Sequence, residues 1–577
     1  MGRPEILYQY QTRTQRVSGR FLLLLSLFLV IGFMTAYPVG WLIINSFVVS
    51  HLGEPTAWGL GSWRAAFSDP SLAKALGNTF FLGIARTVVS SVLAVYFAWV
   101  VTRTNTPCKG LIEFMLWLGF FLPFLPITIG WILLLDPNYG LVNTFLKSTF
   151  NLSSAPLNIY SYGGIIWAHL AFSTSIRFLL ITPAFRAMDA TLEEAARTLG
   201  SDSFGVLRKV TVPILLPAIL AATSLGFIKS LESIEIELLL GAPAGIYVYS
   251  TKIWEYLRWE PPLYGQATAL SSLFLVVILL MVWGQRVLLG PRDFTTISGR
   301  GYLARATDLG HWRWATFSSC ALFIVIMIVL PLAVLIMGTF MRIFGYFELA
   351  NPWTLQNWTR AFDDPIFLRS LRNTLLLGMG VAVVGALFYA AVSYALIRMR
   401  FFGRSVLDFL SWLPWALPGV LIGLALLWVF LGSGPLLRPL YGTLPLMVLA
   451  IIIGSMPLGV QMLKASMRQI GNELEESSRV LGASGLYTFW RIVMPLLRPA
   501  VMVVGLIGFI TAVREIPTVM FLSSFSSRPI SLLMLDYLVG GRKEQASVIG
   551  VFIVVLIIVA ALIGRRLGMT MGLSDRN

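Results

Sequence analysis

The chain is poor in charge and poorer still in the side chains that carry out chemistry. Only 12% of its 577 residues are charged, about half the fraction usual in a soluble domain. Two cysteines, Cys108 and Cys320, cannot build a disulfide framework or a thiolate cluster. The three histidines, His51, His169 and His311, are scattered along the chain, so a metal centre has no ligand set. There is no HExxH zinc pair, no GxSxG nucleophile elbow and no GxxxxGK[ST] phosphate loop. The chain is therefore not expected to be an enzyme or to hold a cofactor, and any nucleotide has to be handled by another polypeptide.

What the chain has in abundance is apolar length. Hydrophobic residues make up 57% of it, and runs near 20 residues recur at 21–46, 75–102, 111–135, 164–184, 213–240 and 266–290. Six more follow at 315–341, 371–397, 406–431, 443–463, 496–523 and 546–564. Each is long enough to cross about 30 Å of hydrocarbon as a helix, which gives an all-α polytopic membrane protein of twelve transmembrane helices. The first run follows a basic tail, 1–20, and is too long for a signal-peptide core, so it is expected to remain as an anchor.

Acidic residues are the scarcer sign, 27 against 43 lysines and arginines, for a net charge of +16. The basic residues collect in alternate loops. Arg103 and Lys109, then Arg186, Arg197, Arg208 and Lys209, then Arg286, Arg292, Arg300, Arg305 and Arg313 mark the first three. The pattern continues with Arg398, Arg400 and Arg404, with Lys464, Arg468, Arg479 and Arg491, and with Arg565 and Arg566. Short cytoplasmic loops hold such an excess, so both termini are expected in the cytoplasm. The charge serves topology and contact with anionic lipid; a nucleic-acid partner is not expected.

The chain is written twice. A shift of 295 residues carries Trp63 onto Trp358, Asp69-Pro70 onto Asp364-Pro365, Asn78-Thr79 onto Asn373-Thr374, Arg103 onto Arg398 and Pro123 onto Pro418. After a longer outer loop in the first half the shift becomes 282, carrying Glu194 onto Glu476, Gly200 onto Gly482 and Phe227 onto Phe509. The expected organisation is a cytoplasmic tail (1–20), a six-helix domain (21–290), a Gly-rich cytoplasmic linker (291–314, with the boundary near 303), a second six-helix domain (315–567) and a short cytoplasmic tail (568–577). An even number of spans per half makes the two six-helix repeats parallel, related by a pseudo-twofold axis along the membrane normal, with a pathway between them.

The most specific repeated segment reads EAARTLGSDSFGVLRKVTVP from Glu194 to Pro213 and ESSRVLGASGLYTFWRIVMP from Glu476 to Pro495. Its spacing predicts a short helix with an apolar patch, a glycine that stops it, and a second helix entering the next span through a proline. It resembles the EAA signature of the membrane subunit of ATP-binding-cassette importers, the binding-protein-dependent transport family. That resemblance implies that Glu194, Ala195, Ala196 and Gly200, and Glu476, Ser477, Ser478 and Gly482, form two coupling helices. Each would dock on one copy of a cytoplasmic ATP-binding-cassette ATPase, which binds ATP and Mg. It also implies an extracytoplasmic solute-binding protein and a place in the bacterial inner (plasma) membrane. Ser477 and Ser478 depart from the two alanines, which leaves room for unequal docking.

Within that family the fused, double-length form looks most like the ferric-iron permeases, on the segments ESIEIELLLGAPAGIYVYSTKIW (Glu232 to Trp254) and REIPTVMFL (Arg514 to Leu522). Thiamine, polyamine and phosphonate permeases share much of this pattern, and a twelve-helix secondary transporter with parallel repeats shares the topology. Glu232, Glu235, Glu237 and Glu515 are charges inside or near spans and are candidates to line the path, as hard oxygen donors suited to a hard cation. Glu113 and Asp408 are expected to complement helix dipoles, and Pro123, Pro126, Pro414 and Pro418 to kink their helices.

Overall fold

The computed structural model describes residues 5–49, 57–189, 191–289, 307–399, 401–432, 434–435 and 437–566. Residues 290–306, which hold most of the expected linker and its boundary, lie outside these, as do His51 and the expected tail at 568–577. The first half contributes α1 (Leu24–Asn45), α2 (Pro70–Arg103), α3 (Lys109–Phe121), α4 (Phe124–Leu135) and α5 (Tyr162–Ala187), then a short α6 (Thr191–Thr198), α7 (Ser203–Leu231) and α8 (Tyr264–Gln285). The second half follows the same order: α9 (Trp312–Thr339), α10 (Pro365–Arg398), α11 (Arg404–Trp415), α12 (Gly419–Gly432), α13 (Leu444–Arg468), a short α14 (Glu473–Val480), α15 (Gly485–Arg514) and α16 (Lys543–Gly564). The chain is an all-α polytopic membrane protein. Among the described residues ten helices are long and apolar enough to cross a membrane, and two bent pairs bring the number to twelve when each pair is taken as one span. The basic tail is itself helical from Glu5 and runs without a break into α1.

The third span of each half is folded rather than kinked: α3 and α4 meet at 101°, α11 and α12 at 110°. In both, the residue before a proline is extended, Leu122 at φ −62°, ψ 135° and Leu417 at φ −105°, ψ 112°. A proline ring bars its predecessor from the helical region, and here Pro123 and Pro418 mark the corner.

At the end of the molecule where α2 and α10 begin with Asp-Pro, one set of side-chain bonds is built twice. Asp69 and Asp364 cap α2 and α10 by accepting from the N–H of Ser71 and of Ile366, and each also takes a tyrosine hydroxyl, Tyr256 at 2.7 Å and Tyr537 at 2.8 Å. About two and a half turns on, Asn78 donates to the carbonyl of Tyr247, and Asn373 to those of Ser526 and Arg528. Thr79 and Thr374 accept from the N–H of Tyr249 and Ile530. Partial burial pushes the Asp69 carboxyl up, but hydrogen bonds from Ser71, Tyr256 and Lys252 outweigh it and hold the group well below the usual carboxylate range. Down the helices, Phe81, Val88 and Val92 of α2 are exposed, as are their counterparts Leu376, Val383 and Leu387 of α10; an apolar ridge of this kind suits lipid.

The halves are interlocked. Helix α1 packs between α8 of its own half and the folded span α11–α12 of the other, and α9 likewise between α16 and α3–α4. Leu42 lies against Leu424 and Ala425. Gly130 of α4 comes so close to α9 that a Cβ there would stand 2.2 Å from the Pro331 carbonyl oxygen. Both large apolar clusters therefore mix residues of the two halves, Ile31 and Tyr249 with Leu421 and Val429 in one, Leu125 and Ile132 with Leu335 and Ile553 in the other. The dipole role expected of Glu113 and Asp408 gives way to ion pairs: neither lies in the first turn of its helix, and they bind Arg186 and Lys464.

Candidate functional sites: two end helices and a central cavity

The repeated segments form matching structures at the basic end of the molecule. Helices α6 and α14 each stop at a glycine in the left-handed region, Gly200 at φ +87° and Gly482 at φ +83°. The Gly200 N–H donates to the Arg197 carbonyl at 2.9 Å and that of Ser201 to Ala196, while Gly482 and Ala483 repeat these bonds to Arg479 and Ser478. Nothing lies within 4 Å of a Cβ built on either glycine, so it is the backbone conformation that asks for glycine.

Glu194, Ala195, Glu476 and Ser477 are exposed on these helices, while Ala196 is half-buried and Ser478 buried. Beside them Leu199 and Leu481, each 88% exposed, and Leu192 and Leu474 leave an apolar face uncovered. The sequence reading centred on Glu194 and Glu476, but the carboxylates that face inward are their neighbours. Glu193 and Glu475 are 3% exposed, and each meets the arginine that ends the second span of its half, Arg103 at 3.7 Å and Arg398 at 2.7 Å. Those arginines also bind the last carbonyls of the fourth span, Arg103 those of Phe185 and Met188, Arg398 those of Met467 and Ile470. Two membrane helices and the end helix are thus tied at one guanidinium, twice. The alignment of Arg103 with Arg398 was the available signal for this joint. The serine substitutions also find a reason: Ser478 shares a hydrogen bond of 3.0 Å with Thr488, where the first half has Ala196 and Val206.

Between the halves lies a cavity of about 310 Å³, lined from the first half by Arg86, Arg177, Lys229, Glu232 and Glu235 and from the second by Tyr389, Trp415, Gly459, Arg514 and Glu515. Three of the four candidate carboxylates are on its wall. Glu232 is paired with Lys229 at 3.0 Å, Glu515 accepts from the Thr518 hydroxyl, and Glu235 has no hydrogen bond or ion pair among the described residues. Glu237 stands behind the wall instead, 1% exposed, accepting from Arg86 at 2.7 Å and Ser233 at 2.6 Å and meeting His169 at 3.0 Å. Arg514 donates to the Phe120 carbonyl and lies over the rings of Phe120 and Phe172, 5.4 and 5.6 Å from their centroids. Sequence reasoning passed over Arg86 and Arg177, although the rule that singled out the glutamates, charge within a span, applies equally to them. Among the described residues no group of three or more His, Cys, Asp or Glu side chains is gathered to hold a metal ion.

A charged cavity between two repeated halves of a polytopic membrane protein, with paired helices presented at one end, is the arrangement of a transport protein. Residues 382–568 match the family described as binding-protein-dependent transport system inner membrane component. The chain is 30% identical over 215 residues to a probable sulfate transport system permease protein of Chlorella vulgaris, covering 35% of this chain and 80% of that one. It is 26% identical over 538 residues to the ferric transport system permease protein FbpB of Actinobacillus pleuropneumoniae, covering 92% of this chain and 76% of the relative. With a probable ABC transporter permease of Sinorhizobium fredii it shares 25% identity over 559 residues, 92% and 95% of the two. The chain belongs to the binding-protein-dependent transport system inner membrane component family. It is a multi-pass membrane permease.

Proposed function

We propose that this chain is the complete membrane pathway of an ATP-driven importer, its six-helix domains 21–290 and 315–567 supplying the two sides. Two copies of a cytoplasmic ATPase dock on Glu194–Gly200 and Glu476–Gly482, and a solute-binding protein delivers substrate at the opposite end. Both termini and the basic end face the cytoplasm. ATP and Mg belong to the ATPase copies. The observation that carries this reading is the doubled joint: the same glycine stop, the same exposed leucine and the same arginine–glutamate tie at Glu193 and Glu475. Through Arg103 and Arg398 a push on either end helix reaches the second and fourth spans of its half, whose other residues, Arg86, Arg177, Tyr389 and Gly459 among them, line the cavity.

Iron is the cargo best supported, since full-length relatives include ferric transport permeases. The test is uptake together with ATPase activity in cells carrying the whole system. Gly200→Asp and Gly482→Asp force a side chain into the left-handed region at a cost of about 1 kcal/mol, leaving the chain in the membrane. ATP hydrolysis is then expected to continue without uptake, and normal uptake by both variants would refute the assignment.

A further inference from the structure

We infer that the cavity wall toward the basic end is a binding subsite for an oxyanion, with Arg177 supplying its charge. Arg177 lines the cavity and is 1% exposed. Among the described residues its guanidinium bonds only to neutral groups, the Ser173 carbonyl at 2.9 Å and the Thr87 hydroxyl at 2.8 Å, and its Nε has no hydrogen-bond partner there. No carboxylate forms an ion pair with it among the described residues, whereas Arg86 and Lys229 on the same wall each have one. A buried charge without a counter-charge is strongly unfavourable, and a guanidinium fork with an unused donor matches a carboxylate, sulfate or phosphate.

The fold itself does not need this charge. The repeat places Gly459 where the first half has Arg177, and the second half fills that layer with the neutral ring of Tyr389, whose Cδ2 stands 2.2 Å from a Cβ built on Gly459. The guanidinium packs directly against Gly226, where a Cβ would come within 2.7 Å of Cζ, so a larger residue at 226 would displace it. Arg177 also lies about two turns of α5 beyond His169 toward the basic end, away from Glu235 and Glu515 at the far ends of their segments. The cavity thus offers Glu235 and Glu515 together with Arg514 at one end, and at the other Arg177 with no carboxylate paired to it among the described residues. That arrangement suits either a free oxyanion or a ferric ion that travels with an oxyanion ligand. The inference deepens the importer reading and rests on it for the route by which the ligand arrives.

The experiment compares thermal unfolding of the purified full-length chain in chloride, sulfate, phosphate, citrate and ferric citrate at matched ionic strength, alongside uptake in cells carrying the whole transporter. Because sulfate and phosphate also stabilise proteins by exclusion from their surface, the readout is the difference between wild type and Arg177→Gln. Wild type is expected to show a saturable rise over chloride that Arg177→Gln lacks and Arg177→Lys keeps in part. Uptake by Arg177→Gln is expected to fall about tenfold or more, as loss of a charge-assisted bond to the ligand implies. A rise with sulfate or phosphate alone assigns a free oxyanion; a rise with ferric citrate beyond citrate assigns the metal complex. The same rise and the same uptake in Arg177→Gln overturn the subsite, and if Gly482→Asp still abolishes uptake the importer reading stands without it. A saturable rise in a chain whose uptake ignores ATP keeps the subsite and removes the importer reading.

Discussion

The two halves agree at their ends and disagree in the middle. At one end Asp69, Asn78 and Thr79 make the bonds that Asp364, Asn373 and Thr374 make, and at the other Arg103 and Arg398 tie matching helices. Along the cavity the first half carries Arg86, Arg177, Lys229, Glu232 and Glu235, while the second contributes Arg514 and Glu515 among neutral residues. On the proposed reading, docking and closure ask the same thing of both halves, which accounts for the copied parts. A substrate presents unlike faces, and walls proposed to meet it are free to diverge.

The sharpest way to break the likeness of the ends is to remove each arginine in turn. Arg398→Ala removes the 2.7 Å pair of Glu475 and leaves it only Arg479 at 3.7 Å and the Tyr394 hydroxyl at 3.4 Å among the described residues; loss of one partner of a buried pair costs about 3–5 kcal/mol. Arg103→Ala removes a looser contact of 3.7 Å and leaves Glu193 still bonded to Thr211 and near Arg197. Uptake normalised to membrane level is expected to fall further for Arg398→Ala; equal losses would show that the geometric difference has no functional weight. The interlock gives a smaller contrast. Gly130→Ala drives a methyl into the Pro331 carbonyl, an overpacking cost of about 1–3 kcal/mol, while its counterpart Ala425→Gly costs about 1 kcal/mol through helix propensity. Thermal unfolding of the two purified variants measures the order. The smallest effect restores a likeness: Ser478→Ala loses a hydrogen bond worth about 0.5–1.5 kcal/mol, and Ser478→Ala with Thr488→Val, which recreates the first half's pair, is expected to recover most of it in the same assay.

Spans, repeat and the glycine stops at Gly200 and Gly482 were legible because each rests on local chemistry: apolar length, spacing, and a backbone angle few side chains accept. The right angles at Pro123 and Pro418 were legible only as kinks, since a proline bars its predecessor from the helix but the turn it leads to depends on α1 and α9 filling the corner from the other half. Glu193 and Glu475 were hidden beside the motif glutamates because which of two adjacent carboxylates turns inward is decided by an arginine far away in the chain, Arg103 for one and Arg398 for the other. Glu237, read as a path residue, is held behind the wall by Arg86 and His169, a placement that needs three segments in register.

Gly459 opposite Arg177 carries a lesson about symmetry. A pore assembled from two identical polypeptides must place every side chain twice, so any guanidinium introduced on one wall meets its own image across the axis. Joining the halves in one chain lifts that restriction. Here one wall holds a cation and the matching position holds a hydrogen atom, so the cavity has a direction across its width, and under the proposed subsite it would orient a polar cargo as well as admit it.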